Sequence, residues 1–139
     1  MSYKLSKKSL DNLKGVHPDL IRTIAKAIQS SPIDFGILKS LRTVKDQEDL
    51  YAQGRTTPGK KVTWTLKSLH IAQKDGFSHA IDVVVYIDGV VSWNEAYYKE
   101  LSHYIKEAAK ELKVAIEWGG DWTSNKDYPH YELSKSYRQ

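Results

Sequence analysis

The chain has 139 residues, 40 % of them apolar and 27 % charged, which is enough for one buried core and too few for two ordinary domains. It contains no cysteine, which excludes a disulfide scaffold, a cysteine-based zinc finger, an iron–sulfur cluster and a thiol nucleophile. Lys and Arg number 21 against 17 Asp and Glu, a net charge of +4 that suits an anionic polymer as partner without requiring one.

Met1 to Lys8 carries charges with no apolar stretch behind them, so a secretory signal is not expected. The most apolar run, Ala80 to Val91, is interrupted by Asp82 and Asp88 and is too short to span a bilayer. The expectation is a soluble protein that starts in the cytoplasm, with residues 1–139 forming one domain. Pro18 followed by Ile21, Ile24, Ala25 and Ile28 predicts a helix with proline in its first turn and one apolar face, ended by Ser30-Ser31-Pro32. Phe35, Ile37 and Leu38 form a short strand-like run. Val44 to Gln53 reads as a second helix closed by Gly54, and Gly54 to Leu69 as a long ordered loop.

Ala80 to Ile87, with three consecutive valines, predicts a central strand. Asp88-Gly89 is a turn signal, with Val90 to Ser92 returning beside the strand. A long helix is expected from about Trp93 to Lys113, its inner face made of Leu101, Tyr104, Ile105, Ala108 and Leu112. Val114 to Trp118 reads as a strand broken by Gly119-Gly120, and Tyr131 to Leu133 as a closing strand. Mixed elements without regular βαβ alternation favour an α+β fold.

Without cysteine, chemistry falls first to the five histidines. His103 in the long helix and His17 before Pro18 read as surface or capping residues. The other three cluster in two segments: Ser68-Leu69-His70 with Ser78-His79-Ala80-Ile81-Asp82, and Asp127-Tyr128-Pro129-His130-Tyr131-Glu132. An aspartate at the start of a buried strand needs a partner, because an unpaired carboxylate there is costly. Two His and one Asp with an open fourth position is a donor set for catalytic zinc, with a nearby carboxylate as general base. A buried polar network without metal fits the spacing equally well.

Taken together, these segments resemble the zinc peptidases that include D-Ala-D-Ala carboxypeptidases and the L-alanyl-D-glutamate endopeptidases of phage lysis. The resemblance covers nearly the whole chain. It opens with the segment from Leu10 through Gly15, His17 and Pro18 to Leu20, and continues through Leu41-Arg42-Thr43 with Gln47. It runs on through Leu50 to Thr56, Val62-Thr63-Trp64-Thr65, Ser68-x-His70 and Ala80-x-Asp82. Trp118-Gly119-Gly120-Asp121-Trp122 and Asp127-x-x-His130-x-Glu132 complete it in family order.

The resemblance implies a small α+β domain of the Hedgehog/DD-peptidase type, a largely antiparallel sheet flanked by helices. It implies Zn2+ on His70, Asp82 and His130, Asp127 as the catalytic acid and base, and Arg42 facing the substrate. Ser68 and Gln47 become supporting residues. From the residues themselves, Trp122 reads as a groove residue, and Glu132 as an anchor for a ligand histidine or equally as a plain surface residue. One departure is a wider gap: Ala72 to Phe77 looks like an insertion between His70 and Asp82, and Ser78 stands where glycine is usual. His79 is thereby a rival ligand. Residues i and i+3 of a strand face opposite ways, which favours His70 and leaves His79 to line the site or bond a group behind the ligands.

Trp93 is expected to pack on the long helix; Trp64 is another groove candidate, and core packing is favoured for Trp118. Lys7-Lys8 and Lys60-Lys61 read as a solvated face that also suits an anionic envelope. The implied activity is hydrolysis of the L-alanyl-D-glutamate bond in peptidoglycan stem peptides by a monomeric phage endolysin. Such a protein is made in the host cytoplasm and released to the wall at lysis, with neither stable membrane insertion nor a nucleic-acid partner. The alternatives are a D-Ala-D-Ala carboxypeptidase or dipeptidase with the same site, and a non-catalytic zinc-containing wall-binding domain, against which Asp127 and Arg42 argue.

Overall fold

The computed structural model describes residues 3–38, 40–59, 61 and 68–138. The first element, helix α1 (Lys7–Asn12), was not foreseen from the sequence; Ser6 caps it by accepting the Ser9 N–H at 3.1 Å. Its one buried residue is Ser9, whose hydroxyl accepts the Ile37 N–H at 3.0 Å and ties α1 to the sheet. Helix α2 (Pro18–Ser30) follows, with His17 as N-cap: its Nδ1 accepts the Asp19 N–H at 3.0 Å. The inner face of α2 is Leu20, Thr23, Ile24, Ala27 and Ile28, while Ala25 is exposed; the apolar stripe is rotated from the expected one because Thr23 is buried with it. The Thr23 hydroxyl is satisfied by donating to the Asp19 carbonyl.

Strand β1 (Asp34–Ile37) leads to helix α3 (Val44–Ala52), which starts in a reciprocal capping box between Thr43 and Asp46. Strands β2 (Ala80–Ile87) and β3 (Val90–Ser92) form a hairpin whose turn residues Asp88 and Gly89 both have positive φ, as this two-residue turn requires. Helix α4 (Glu95–Leu112) is capped by the Asn94 side chain, so it begins two residues later than the pattern suggested. Trp93 stays outside it, 58 % exposed and stacked flat on Tyr98. Strand β4 (Ile116–Trp118), a 3-10 turn at Gly119–Asp121, strand β5 (His130–Leu133) and a short helix α5 (Lys135–Arg138) complete the chain.

The sheet runs β1-β2-β5-β4 with β3 also on β2, and each of these pairings is antiparallel. Helices α2 and α4 pack together, and one core joins Leu20, Ile24, Phe35, Ile81, Val83, Leu101, Ile105, Tyr131 and Leu133. Burial of this apolar area is the main stabilising term. The fold is α+β, as the element order indicated. Strand β2 pairs with β5 through Ala80, Ile81 and Asp82 and with β1 through Val83 to Tyr86, so Asp82 lies where the strand passes from one partner to the other. The expected loop from Gly54 to Leu69 lies in large part outside the described residues, as do Trp64 and its motif. Among the described residues no helix is long and apolar enough to cross a membrane.

Candidate metal centre and active site

Antiparallel register sets Asp82 of β2 directly opposite His130 of β5. Directly opposed residues project to the same face with Cβ atoms about 5 Å apart, so the two side chains converge by strand geometry alone. His70 arrives from outside the sheet on a segment fastened at three backbone points. The Ser68 hydroxyl accepts the His70 N–H at 3.1 Å, Arg42 N–H donates to the His70 carbonyl at 2.9 Å, and His79 N–H donates to Leu69 at 2.8 Å. The result is a compact triad: His70 Nε2 lies 3.5 Å from Asp82 Oδ2, His130 Nδ1 lies 3.3 Å from Asp82 Oδ1, and the two ring nitrogens are 3.3 Å apart. All three ligand-type atoms fall within 4.8 Å of one another, and both histidines are buried.

The outer nitrogens of the rings decide what the inner ones offer. His70 Nδ1 faces the Ser40 carbonyl at 2.9 Å; a carbonyl only accepts, so this nitrogen carries the proton and Nε2 presents a lone pair. His130 Nε2 faces Glu132 Oε1 at 2.8 Å, which places its proton there and leaves Nδ1 as an acceptor. Two lone pairs and a carboxylate thus point at one spot with no donor among them. Such a set calls for a cation, and Asp and His are suitable donors for a divalent metal.

The electrostatics agree. Burial opposes ionisation of Asp82, but its interactions with the facing His130 and His70 rings outweigh it and hold the carboxyl well below the usual range. Burial likewise opposes charge on His130, yet its bonds to Asp82 and Glu132 raise it to about 9. In the absence of metal, a proton on His130 fills the place of the cation.

Around the triad stand the remaining residues singled out from the sequence. Gln47, fully buried on α3, accepts from Arg42 Nη1 at 3.0 Å, and this fixes the guanidinium with Nη2 3.7 Å from Asp82 Oδ2. Asp127 lies close enough to feel Asp82, His130, His70 and Arg42; burial first, and the Asp82 charge second, push its carboxyl above the ordinary range. The loop carrying Asp127 is set by glycine: a Cβ on Gly119 would come within 2.2 Å of the Asp127 carbonyl, and Asp127 N–H donates to Gly119 at 3.1 Å. Trp118 donates its indole N–H to the Tyr128 carbonyl at 2.7 Å and is buried, so it packs in the core while bracing that loop. The Trp122 ring lies 5.2 Å from the His130 ring and tilted against it.

The structure takes His79 away from the role expected for it. Its Nε2 bonds Asp75 Oδ2 at 2.7 Å, its ring packs edge-on against His17, and its Nδ1 is buried without a hydrogen-bond partner. The side chain therefore bonds none of the triad. Alternation along the strand turns it to the other face, and the inserted turn at 72–77 supplies Asp75 to meet it there. Sequence reasoning also missed two contributors, the Ser40 carbonyl behind His70 and the glycine at 119; a backbone carbonyl leaves no residue-type signal.

Comparison with known proteins decides the family. A family model described as phage L-alanyl-D-glutamate peptidase matches residues 1–137. The chain belongs to this family. Within it, the chain is 33 % identical over 137 residues to the L-alanyl-D-glutamate peptidase of Escherichia phage T5, covering 97 % of this chain and 92 % of that one. It is 32 % identical over 128 residues to the peptidoglycan L-alanyl-D-glutamate endopeptidase CwlK of Bacillus subtilis strain 168, covering 85 % and 73 %. Among solved structures it matches the Serratia marcescens L-Ala D-Glu endopeptidase ChiX with a TM-score of 0.80 and 36 % identity, over 94 % of this chain and 90 % of that one.

Proposed function

We propose that this peptidase is a zinc-dependent endopeptidase that cleaves the L-alanyl-D-glutamate bond of peptidoglycan stem peptides. The observation that carries the reading is the convergence of His70 Nε2, His130 Nδ1 and the Asp82 carboxylate on one point, with Asp127 and Arg42 beside it. The three acceptors would hold the zinc. When bound, zinc supplies Lewis acidity, polarising a carbonyl and making water acidic enough to ionise near neutral pH.

The chain's own residues do the rest. The Asp127 carboxylate takes the proton of the attacking water and returns it to the departing D-glutamyl amine; a carboxyl raised above its ordinary range is better matched to both halves of that task. Arg42, held by Gln47, directs its guanidinium at the reacting carbonyl's developing negative charge. Glu132 fixes the His130 proton on Nε2, and Trp122 covers one side of that ring and limits solvent. In this reading the chain, residues 1–139, acts as a monomer in the host cytoplasm until lysis brings it to the wall.

The test is mass spectrometry of purified peptidoglycan digested by the zinc-loaded protein. New L-alanine carboxyl ends paired with D-glutamate amino ends are expected. Release of D-alanine would make it a carboxypeptidase with the same metal centre. Unchanged fragments from folded, zinc-bound protein would leave only a wall-binding role.

A further inference from the structure

Beside the metal centre lies a cavity of about 340 Å3 lined by Leu41, Arg42, Asp46, Asp49 and Leu50. It shares Arg42 with the active site, so one wall of the cavity is a guanidinium that also sits 3.7 Å from the Asp82 carboxylate. The far side is different in kind. Asp46 and Asp49 lie three positions apart on α3, one helical turn, and so present two carboxylates on one face, with Leu50 next to them and Leu41 opposite in sequence order. The lining thus combines one cation, two leucines and two carboxylates.

The substrate carries groups that complement this lining. D-Glutamate is joined to the next residue through its γ-carboxyl, so the α-carboxylate beyond the scissile bond is free. The third residue of the stem is a diamino acid, whose aliphatic side chain ends in an ammonium when the stem is not cross-linked. Asp49 lies six residues past the Thr43 cap, about 9 Å along the helix. Two residues of extended substrate span at most about 7 Å, and the third residue's own side chain extends the reach beyond that. Building on the endopeptidase reading, we propose that the cavity binds the side-chain ammonium of the stem's third residue, with Asp49 as a specificity-determining residue. Asp46 contributes negative charge while its Oδ2 accepts the Thr43 N–H of the capping box. The present partner of Asp49 is Lys45 Nζ at 3.6 Å, a pair with both side chains mostly exposed, which a substrate ammonium can displace. Leu41 and Leu50 take the methylenes. The consequence is an enzyme that prefers stems whose third residue carries a free amine over stems already cross-linked through it.

The experiment compares two synthetic peptides, N-acetyl-L-Ala-γ-D-Glu-L-Lys and its Nε-acetyl-lysine counterpart, with the zinc-loaded protein. The free amine is expected to raise kcat/KM about three- to tenfold, chiefly through KM. Asp49→Asn is expected to bring the two peptides to the same kcat/KM, and Asp49→Lys to invert their order. Equal kcat/KM for the two peptides in the unaltered protein, or a preference that survives Asp49→Asn, overturns the inference while leaving the endopeptidase reading intact. Cleavage of neither peptide by the folded, zinc-loaded protein overturns both.

Discussion

Among the described residues are two His–Asp–His clusters, and they differ in which way the protons point. In the first, His70 and His130 spend their N–H groups on Ser40 and Glu132 behind them, so lone pairs and the Asp82 carboxylate converge. In the second, His17 uses its Nδ1 lone pair to accept the Asp19 N–H, which leaves its N–H on Nε2, 3.8 Å from Asp75 Oδ2. His79 Nε2 meets the same carboxylate oxygen at 2.7 Å. There, donors converge on an acceptor, and the Asp75 carboxylate has its partners without a metal. The same three residue types thus make a cation site in one place and a strut in the other, joining the turn at 72–77 to the start of α2. Residue composition does not separate them; the partners of the outer nitrogens do.

The largest expected effect tests that contrast. His70→Ala should lower zinc affinity by at least about 100-fold and abolish peptidoglycan cleavage, since it removes one of the three proposed zinc ligands. His79→Ala should leave zinc stoichiometry at one per chain. Equilibrium dialysis with elemental analysis reads both. Zinc retained in the first variant and lost in the second would interchange the clusters and restore His79 as the ligand.

Next in size is Asp127, the proposed base. Asp127→Asn should keep zinc and fold but lower kcat by roughly 10² to 10⁴. Because burial and the Asp82 charge raise this carboxyl, the acid limb of kcat/KM in the unaltered protein should lie above the ordinary aspartate pKa of about 3.9. Loss of zinc along with activity would make Asp127 a ligand instead.

How much of this could be read from residues alone follows from what each residue depends on. Asp82 and His130 were legible because a polar residue at the start of an apolar strand, and a histidine entering another, both demand partners, and strand register then brings the two together. The long helices were legible from apolar period. Helix α1 was not, because the one residue it buries is a serine held by hydrogen bonds to the backbone, and its Leu10 is exposed. The departure of His79 was half legible: strand alternation turned it from the ligand position, but only the turn bringing Asp75 beneath it shows what it bonds. Gln47 gained its meaning only from the fold, which buries it entirely and aims it at Arg42.

A smaller effect sharpens the account of the first cluster. Glu132→Gln keeps a hydrogen-bond acceptor for His130 Nε2 but removes its charge, and zinc affinity should fall about tenfold or more. In the unaltered protein His130 is raised from 6.5 to about 9, so its proton stabilises the metal-free fold fully below pH 6.5, and that contribution is lost as pH rises through 9. Zinc must displace this proton. Its affinity should therefore climb about tenfold per pH unit between those values and flatten above 9. Titration calorimetry across this range, in buffers of differing ionisation enthalpy, counts the proton released. A flat profile from pH 7 to 9 would mean that His130 holds no proton in the metal-free protein.

The smallest effect belongs to the strut. Asp75→Ala removes the acceptor shared by His17 and His79, and it should cost about 1 kcal/mol, a fall of roughly 3 °C in Tm, measured on the zinc-free protein by calorimetry. Burial works against ionisation of Asp75, but the Phe77 N–H and His79 bonds prevail and lower its pKa, so this contribution is present at neutral pH and fades as pH falls below about 4. The mutant and the parent should therefore converge in Tm at acid pH. Zinc affinity should stay within a factor of two or so, because the variant touches His70 only through the backbone bond from His79 to Leu69. A loss of zinc as large as that of His70→Ala would instead show that the strut sets the position of the His70 segment, and that the two clusters are mechanically one.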